Sequence, residues 1–527
     1  MISDLRALPP GQVLEADVCI VGGGAAGISM AMQFHGTKTR VCLLEGGGEH
    51  MEADSQDLYL VDNDGQIPVL GMQSRLRMFG GTTNHWTGRC APLDAADFTA
   101  RHWVPHSGWP ITRADLDPFY ERAQRICDLG NYSYGEDVLD TLGVPDMQLD
   151  RDKLAPQCWQ ISAPTRFAGK YGPVLRVVEN IQVVLHATAT NVELNPDGTQ
   201  VDHIGLATPD GRRHRVKARY YVLAAGGIEN PRLLLMSNDV QKAGVGNQRD
   251  LVGRFFMQHL RVDATLVMEG DPYRVSRMYA RHDAAIGNYV VGARLSDRFQ
   301  SASKVLNGSM ITYREGGLDP DSGTSSLARL TDELRDGRWP KDAGRELFNV
   351  VVDFSDVALN VRRRFLKPGA EPYSRALRQI MVEGEQAPNP SSRIRISEAT
   401  DALGMRRVVA DWRLTDLDRH STQQLVLTIA TEMARLYKAR MSVPFWLTDS
   451  QTDWSRHLRD VAHHMGTTRM ADSENRGVVD ADCRVFGVPN LFIAGSSVFP
   501  TGGQANPTLT IVALALRLAD HLKSKLA

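Results

Sequence analysis

Residues 17–27 read Asp17-Val18-Cys19-Ile20-Val21-Gly22-Gly23-Gly24-Ala25-Ala26-Gly27. An apolar, β-branched run ends here in a glycine turn and is followed by an alanine-rich helical pattern, which predicts strand, turn and helix. Gly22, Gly24 and Gly27 have the G-x-G-x-x-G spacing, and Ala26 lies in the same turn. The first glycine permits the turn, the second admits a pyrophosphate to the backbone, and the third lets helix and strand pack closely. The stretch therefore predicts a dinucleotide site.

A second predicted strand, Val41–Leu44, ends in Glu45, which stands 18 residues beyond Gly27. A carboxylate at this point can accept both hydroxyls of an adenosine ribose. The motif lies at the N-terminus of a long chain, and no second G-x-G-x-x-G follows a strand elsewhere. These features favour FAD over a nicotinamide dinucleotide as the cofactor.

The composition is that of an ordinary soluble globular protein, with 527 residues, 42% apolar and 23% charged. This length gives room for two intertwined domains with sizeable cores. The net charge of −2 disfavours nucleic acid and anionic membrane surfaces as partners.

The six cysteines are scattered without C-x-x-C spacing. We expect them to be small buried hydrophobes in a reducing cytosol, rather than a disulfide framework, and we predict no metal site. Residues 1–16 contain neither an apolar signal core nor a twin arginine, and no run of 18 apolar residues occurs. The expectation is a cytoplasmic protein without a membrane span.

The order of the segments predicts a discontinuous cofactor domain interrupted by a substrate domain. We assign residues 1–95, 155–260 and 455–527 to the FAD-binding domain, and residues 96–154 and 261–454 to the substrate-binding domain and cover segments. Within the latter, charged helices are predicted over Asp353 to Arg364 and Leu417 to Tyr437, the second opened by a capping box at Thr415.

Three further motifs have the character of ligand-facing loops. Gly80 to Gly88 is a polar loop between glycines, and small residues there suit close approach to a planar ligand. A second turn, from Ala224 to Arg232, ends a strand and starts a helix, and Ala225 is its candidate ligand contact. His463-His464-Met465-Gly466-Thr467 precedes a predicted strand that runs into Gly495 and Ser496.

The chain then passes through Gly502-Gly503-Gln504-Ala505-Asn506-Pro507 into a helix predicted from Thr508 to about Leu522. Pro507 suits the first helical position and Asn506 the N-cap. The positive end of this helix dipole would stabilise negative charge on a reduced flavin.

Together these motifs resemble the glucose–methanol–choline (GMC) family of FAD-dependent oxidoreductases over essentially the whole chain. The loop and Asn506 are most similar to bacterial sugar and glycoside dehydrogenases and to pyranose oxidase. The resemblance implies an α/β fold, with a Rossmann-like FAD-binding domain and a second α+β substrate domain on an antiparallel sheet. It also implies that FAD contacts the glycine motif, Glu45, the loop Gly80–Gly88, the turn at Ala224 and the C-terminal segment. Beyond the glycine motif and Glu45, the residues implied are Gly80, Gly81, Asn84, His85, Trp86, Thr87, Ala225, Gly495, Ser496, Pro507 and Thr508.

In the family, the first position of H-x-x-G-T is the catalytic base, and this position is His463 here. The partner 43 residues later is Asn506, which would hydrogen-bond the substrate oxygen. His464 is the rival base, but on a strand adjacent side chains point to opposite faces, and the register favours His463. His463, Asn506 and Gln386 are predicted to contact the substrate, and His85 and the stretch from Tyr289 to Arg294 are further candidates for its pocket.

The resemblance leaves several points open. Covalent attachment of the flavin through His85 is an alternative that we do not favour. The preferred reaction is oxidation of a secondary hydroxyl at C2 or C3 of a pyranose or glycoside, with O₂ or another electron acceptor. The alternatives are oxidation of a sterol or other non-sugar alcohol, and a flavin-binding redox protein without alcohol turnover. The oligomeric state is not predicted.

Overall fold

The predicted strand, turn and helix at the N-terminus are present, as Val13–Val21, Gly22–Gly24 and Ala25–Met32. The computed structural model describes residues 1–268, 278–279, 281–313, 323–335, 337, 339, 342–352, 354, 357–358, 361–362 and 377–527. Strand Val13–Val21 pairs in parallel with Val41–Leu44 on one side and with Arg213–Leu223 on the other. The strand, turn, helix and strand order of a dinucleotide-binding unit is therefore confirmed.

These strands lie at the centre of a first, largely parallel sheet. Two antiparallel strands extend one edge of it, and the short strand Leu491–Ile493 pairs in parallel with the end of Arg213–Leu223. In spatial order the strands are Ile2–Asp4, Ile181–Leu185, Val41–Leu44, Val13–Val21, Arg213–Leu223, Val201–Ala207 and Thr188–Leu194.

The core of this region is formed by apolar strand residues and by the buried face of helix Thr508–Leu526, whose Leu509, Val512 and Leu516 are fully buried. Burying an apolar side chain of this size contributes about 1.5–3 kcal/mol. All six cysteines are buried and free, which confirms their prediction as small hydrophobes.

A second sheet is antiparallel. In spatial order its strands are Ala439–Met441, Leu260–Met268, Leu377–Gly384, Gly308–Tyr313, Gly287–Leu295, Leu154–Ile161 and Arg89–Cys90, with Arg281–Ala284 paired to Gly287–Leu295. A smaller third sheet joins Arg393–Thr400, Arg406–Asp411 and Val61–Asn63. A mainly parallel sheet beside an antiparallel one confirms the predicted fold class.

Two strands from the segments that we assigned to the FAD-binding domain lie in the second sheet. Arg89–Cys90 and Leu154–Ile161 fall in or at the edge of those segments, yet they pair with each other and with Gly287–Leu295 in the second sheet. The alternation of Leu154–Ile161 suits either sheet, so only the long-range pairing reveals its place. The domain boundaries themselves stay a prediction.

The α-helices of the described residues are Ala25–Met32, Ala53–Asp57, Gly71–Ser74, Ala95–Phe98, Arg113–Ile126, Asp137–Thr141, Phe167–Val177, Gly226–Met236, Asp297–Ser303, Gly323–Arg335, Ala343–Val352, Asp416–Tyr437, Phe445–Thr448 and Thr508–Leu526. The capping box predicted for the helix at 416–437 is confirmed, because the Thr415 and Asp418 side chains each bond the other residue's backbone N–H. The helix predicted from Asp353 to Arg364 lies largely outside the described residues. In the part of the chain that is described, no helix is long and apolar enough to cross a membrane.

Candidate active site

A cavity of about 440 Å³ opens where the parallel strands of the first sheet end. Val21, Leu44 and Ala224, at or next to the carboxyl ends of three neighbouring strands, contribute to its walls. Ligands of parallel α/β sheets bind at this edge, because the loops that follow the strands converge there. The cavity is therefore the candidate binding site for cofactor and substrate.

The three motif glycines have different reasons to lack a side chain. At Gly22, with φ of 114°, a Cβ would lie 2.6 Å from the carbonyl oxygen of Ala224, and at Gly27 it would lie 1.9 Å from that of Gly22. At Gly24 a Cβ would meet nothing within 4 Å, and Gly24 lines the cavity. Gly22 and Gly27 are thus required by packing, whereas Gly24 leaves room for a ligand.

Glu45 lies buried at the end of strand Val41–Leu44 and also lines the cavity. Its carboxylate accepts hydrogen bonds from the backbone N–H of Gly23 (3.0 Å) and of Gly47 (2.9 Å). Burial raises its pKa, against the opposing effect of these bonds and of Arg77. Glu45, which we predict to bind the adenosine ribose, thus also connects the glycine turn to the end of the second strand.

The loop from Gly80 to Gly88 forms another wall. Gly81, His85, Trp86 and Thr87 line the cavity, whereas Gly80 and Asn84 do not. Asn84 instead donates to the carbonyl oxygens of Phe79 (2.9 Å) and Gly81 (3.0 Å), which closes the loop on itself. Burial lowers the pKa of His85.

The remaining predicted cofactor contacts also reach the cavity. Ala26 lines it at the start of the first helix, and the others come from the turns that follow strands Arg213–Leu223 and Leu491–Ile493 and from the start of the C-terminal helix: Ala225, Gly495, Ser496, Pro507 and Thr508. A glycine cradle, open space at Gly24 and a buried acid at the second strand end fit the adenosine diphosphate part of FAD. Gly81, His85, Trp86, Thr87, Ala225 and Pro507 would face the remainder of the cofactor.

His463 and Asn506 meet at one part of the cavity wall. Asn506 Nδ2 and His463 Nε2 lie 3.1 Å apart, and both residues are only partly buried. We predicted Asn506 as the N-cap of the C-terminal helix, but its side chain makes no capping hydrogen bond. Its amide is instead bonded to His463 and to Arg89, whose Nε donates to Asn506 Oδ1 at 2.7 Å.

A buried ion pair supports this arrangement from the second sheet. Arg89 pairs with Glu383, and both side chains are less than a tenth exposed. Burial acts to raise the pKa of Glu383, but Arg89 and the neighbouring imidazoles hold it below its ordinary value. Arg89 is therefore a fixed cation beside Asn506.

His463 contacts a second histidine on its other side. His463 Nδ1 and His259 Nδ1 are 2.8 Å apart, and His259 Nε2 lies 2.9 Å from the carbonyl oxygen of Gly503. Burial and the neighbouring His259 lower the pKa of His463 to about 3. Its imidazole is therefore neutral at physiological pH and able to accept a proton.

His464 lies in a different environment. Its Nε2 is 3.3 Å from Asp460, and its ring stacks on Phe256. The prediction that this segment is a strand is wrong, since only Met465 makes an isolated bridge, to Met257. Both histidines line the cavity, so their hydrogen-bond partners, and not strand alternation, distinguish them.

The structure does not bring two of the predicted substrate contacts to the cavity. Gln386 is buried, accepts from Trp412 Nε1 (2.9 Å) and from the backbone N–H of Gln258 (3.0 Å), and does not line the cavity. The stretch from Tyr289 to Arg294 belongs to a strand of the second sheet and is also absent from the cavity wall. Gln386 is therefore a packing residue in this structure, because its amide is used in bonds within the protein.

Sequence reasoning missed His259, Arg89 and Glu383. His259 is 204 residues from His463 along the chain, so no local spacing indicates their contact. Arg89 follows the loop Gly80–Gly88 directly, which is the one local signal that pointed to it. Two ion pairs in the cavity wall were also missed because their partners are far apart along the chain. They are Arg75–Glu229 (2.6 Å) and Arg232–Asp401 (2.8 Å).

Comparison with known proteins shows what this chain is similar to. Residues 388–515 match the GMC oxidoreductase family. The chain is 26% identical to 6'''-hydroxyparomomycin C oxidase of Streptomyces lividus, over 97% of this chain and 92% of that protein. It is 24% identical to 2-methyl-1,2-propanediol dehydrogenase of Mycolicibacterium austroafricanum (97% and 96%) and 24% identical to C-glycoside 3-oxidase of Microbacterium trichothecenolyticum (89% and 79%).

The fold is also that of a solved oxidase. The chain superposes on the crystal structure of formate oxidase with a TM-score of 0.58 and 16% identity, covering 98% of this chain and 99% of that one. The match assigns residues 388–515 to the C-terminal domain of GMC oxidoreductases, a family that acts on CH–OH groups and implies a flavin cofactor. The proteins similar to most of this chain are oxidases and dehydrogenases.

Proposed function

We propose that the protein oxidises a secondary ring hydroxyl, at C2 or C3 of a pyranose sugar or glycoside, to a ketone. The observation that carries this proposal is the pairing of a neutral imidazole with an amide donor, His463 with Asn506, in the wall of the cavity. An acceptor and a donor directed at the same point suit one alcohol oxygen, which must lose a proton to the first while it accepts a hydrogen bond from the second.

Each protein group has a defined part in this reaction. His463 Nε2 takes the hydroxyl proton as the carbon–oxygen double bond forms, and the hydrogen on that carbon leaves with its electron pair. Asn506 holds the oxygen, and Arg89 holds Asn506. Bound FAD supplies the acceptor of that hydride. O₂ or another redox acceptor would take up the two electrons that leave with the hydride.

We propose that FAD is held by the residues that line the cavity. The glycine turn with Ala26 and Glu45 would bind its adenosine diphosphate part, and Gly81, His85, Trp86, Thr87, Ala225, Gly495, Ser496, Pro507 and Thr508 would surround the flavin. We favour non-covalent binding, and acid precipitation of the purified protein tests it: a yellow supernatant supports non-covalent FAD, and a yellow pellet indicates a bond to His85.

A sugar or glycoside is the preferred substrate because the similar proteins named above include a paromomycin oxidase and a C-glycoside oxidase. A second candidate is a sterol or other non-sugar alcohol, and the likeness to 2-methyl-1,2-propanediol dehydrogenase favours the non-sugar class. The chemistry proposed for His463 and Asn506 is the same in both cases, so the substrate class depends on the rest of the cavity.

The test is anaerobic reduction of the FAD-loaded protein by a panel of pyranoses, glycosides, diols and sterols, followed by its visible absorption. Bleaching by sugars or glycosides alone, with a ketone at C2 or C3 by NMR of the product, is the expected result. Bleaching by diols or sterols alone would support the second class. Bleaching by none would indicate a flavoprotein without alcohol turnover.

A further inference from the structure

We propose that His259 is a positioning residue that holds the proton of His463 on Nδ1, so that the lone pair of Nε2 is directed toward Asn506 and the cavity. This inference rests on the proposed function of His463 as the base. His259 immediately precedes strand Leu260–Met268 and lies far from His463 in sequence. Only the fold brings the two imidazoles together.

His259 Nε2 lies against the backbone carbonyl of Gly503. A carbonyl oxygen can only accept, so His259 Nε2, 2.9 Å away, must carry a hydrogen. His259 is completely buried, and this burial lowers its pKa, so the ring is neutral and has one N–H. Its Nδ1 is therefore an acceptor, and the 2.8 Å contact requires that His463 Nδ1 donate to it.

Arg89 and Asn506 act on the other ring nitrogen of His463, independently of His259. A guanidinium can only donate, so the oxygen of the Asn506 amide must face Arg89 Nε, at 2.7 Å. The NH₂ of Asn506 then faces His463 Nε2, at 3.1 Å. Because an amide NH₂ can only donate, His463 Nε2 must accept.

The contact with His259 and the contact with Asn506 thus give His463 the same protonation pattern, with the hydrogen on Nδ1 and the lone pair on Nε2. Glu383, Arg89 and His464 are the other charged or titratable groups whose charge acts on this ring. The residue before His259 fixes the backbone, since Gln258 Oε1 accepts from the N–H of His463 (3.2 Å) and of Val461 (3.3 Å). Gln258 and His259 thus hold both the main chain and the ring of His463.

If the acceptor at His259 is lost, His463 changes its role in catalysis. With that acceptor gone, the buried Nδ1–H of His463 loses its partner and only the amide of Asn506 still favours a lone pair on Nε2. A larger share of the imidazole then carries its proton on Nε2, and in that form it donates toward the substrate oxygen and cannot take its proton. We expect such a variant to bind substrate with nearly unchanged KM but to have a lower kcat.

Two substitutions form a matched pair. In His259→Asn the side-chain oxygen occupies the place of Nδ1 and can still accept from His463, whereas in His259→Gln the amide reaches the place of Nε2 and the acceptor beside His463 is lost. We expect kcat within a few-fold of the wild type for His259→Asn and about 10–100-fold lower for His259→Gln, the range for losing an orienting partner. Equal kcat values for the two variants would overturn the proposal.

A direct readout needs neither activity nor a variant of His259. The ¹⁵N NMR spectrum of histidine-labelled protein, prepared with and without FAD, reports which ring nitrogen of His463 carries the proton, and His463→Gln identifies its signals by their loss. We expect a protonated Nδ1 and an unprotonated Nε2, and the opposite pattern would contradict the inference. Failure of the proposed function is distinguishable, because His463→Gln would then retain turnover whatever the NMR pattern.

Discussion

Asn506 donates its amide N–H to Nε2 of His463 across 3.1 Å, so the two groups that we propose for the substrate oxygen are bonded to each other before substrate arrives. An alcohol must therefore enter between them, giving its O–H to His463 and accepting from Asn506. The exchange replaces one hydrogen bond by two, so it costs little if the two side chains move by small amounts.

This relationship predicts different effects for two substitutions of Asn506. Asn506→Ala removes an oriented donor, and we expect kcat/KM to fall by about 10²–10³. Asn506→Asp has the same shape but places an oxygen against His463 Nε2, which favours a protonated imidazole and removes the base. Steady-state kinetics should show Asp to be more damaging than Ala, with FAD bound in both variants. A kcat/KM of Asn506→Asp above that of Asn506→Ala would contradict the proposed roles.

The second prediction separates the two adjacent histidines. His463→Ala should retain FAD, and the rate of anaerobic flavin reduction should fall by about 10²–10⁴, the range for loss of a general base. The control is His464→Ala, which removes the partner of buried Asp460 and the ring stacked on Phe256. That variant should lose thermal stability but reduce flavin much faster than His463→Ala. Equal rates for both would mean that the assignment of the base is wrong.

The third prediction concerns pH. Burial and His259 lower the pKa of His463 to about 3, so the imidazole stays in its neutral, proton-accepting form as pH falls from 8 to 5. The profile of kcat/KM, which reports the free enzyme, should therefore show no ascending limb from this group until about pH 4 or below. A limb centred near pH 6.5, the pKa of an unperturbed histidine, would show that the imidazole is not desolvated as the structure indicates.

Much of the fold and part of the site followed from local patterns. The glycine turn, the strand ending at Glu45 and the capped helix at 416–437 depend on neighbouring residues, and all three are present. The placement of strand Leu154–Ile161 in the second sheet and the contact of His259 with His463 depend on pairings across more than 100 residues. Nothing in the local pattern of these residues encodes their partners.

Gln386 illustrates the other limit. The resemblance of its segment, residues 385–390, to bacterial sugar-oxidising members of the GMC family predicts a contact with the substrate. In the fold its amide joins the Trp412 indole and the Gln258 backbone, and Gln258 in turn holds the main chain of His463. Gln386 therefore supports the site indirectly, through Gln258, and only the three-dimensional hydrogen-bonding pattern reveals this.

The fourth prediction uses two glycines of the same motif. Gly27→Ala places a Cβ 1.9 Å from the carbonyl oxygen of Gly22, so helix and strand must separate, and we expect a marked loss of thermal stability even without FAD. Gly24→Ala meets nothing within 4 Å, so the flavin-free protein should melt as the wild type does. Its FAD affinity should nevertheless fall, because the added methyl group occupies the cavity. Unchanged FAD affinity in Gly24→Ala would contradict the position assigned to the cofactor.

The fifth prediction concerns Glu45, whose carboxylate bonds the turn through Gly23 and Gly47 and also faces the cavity. If it also binds the ribose hydroxyls of FAD, Glu45→Ala removes charge-assisted hydrogen bonds worth about 1.5–3 kcal/mol, and the Kd for FAD rises by about 10–100-fold. Glu45→Gln is the control, because it keeps the shape and one acceptor for the turn while it removes the charge. Titration of the flavin-free protein with FAD should rank the affinities wild type, Gln and Ala, from tight to weak. If all three proteins bind FAD equally, the ribose does not contact this residue, and the carboxylate serves only to hold the turn.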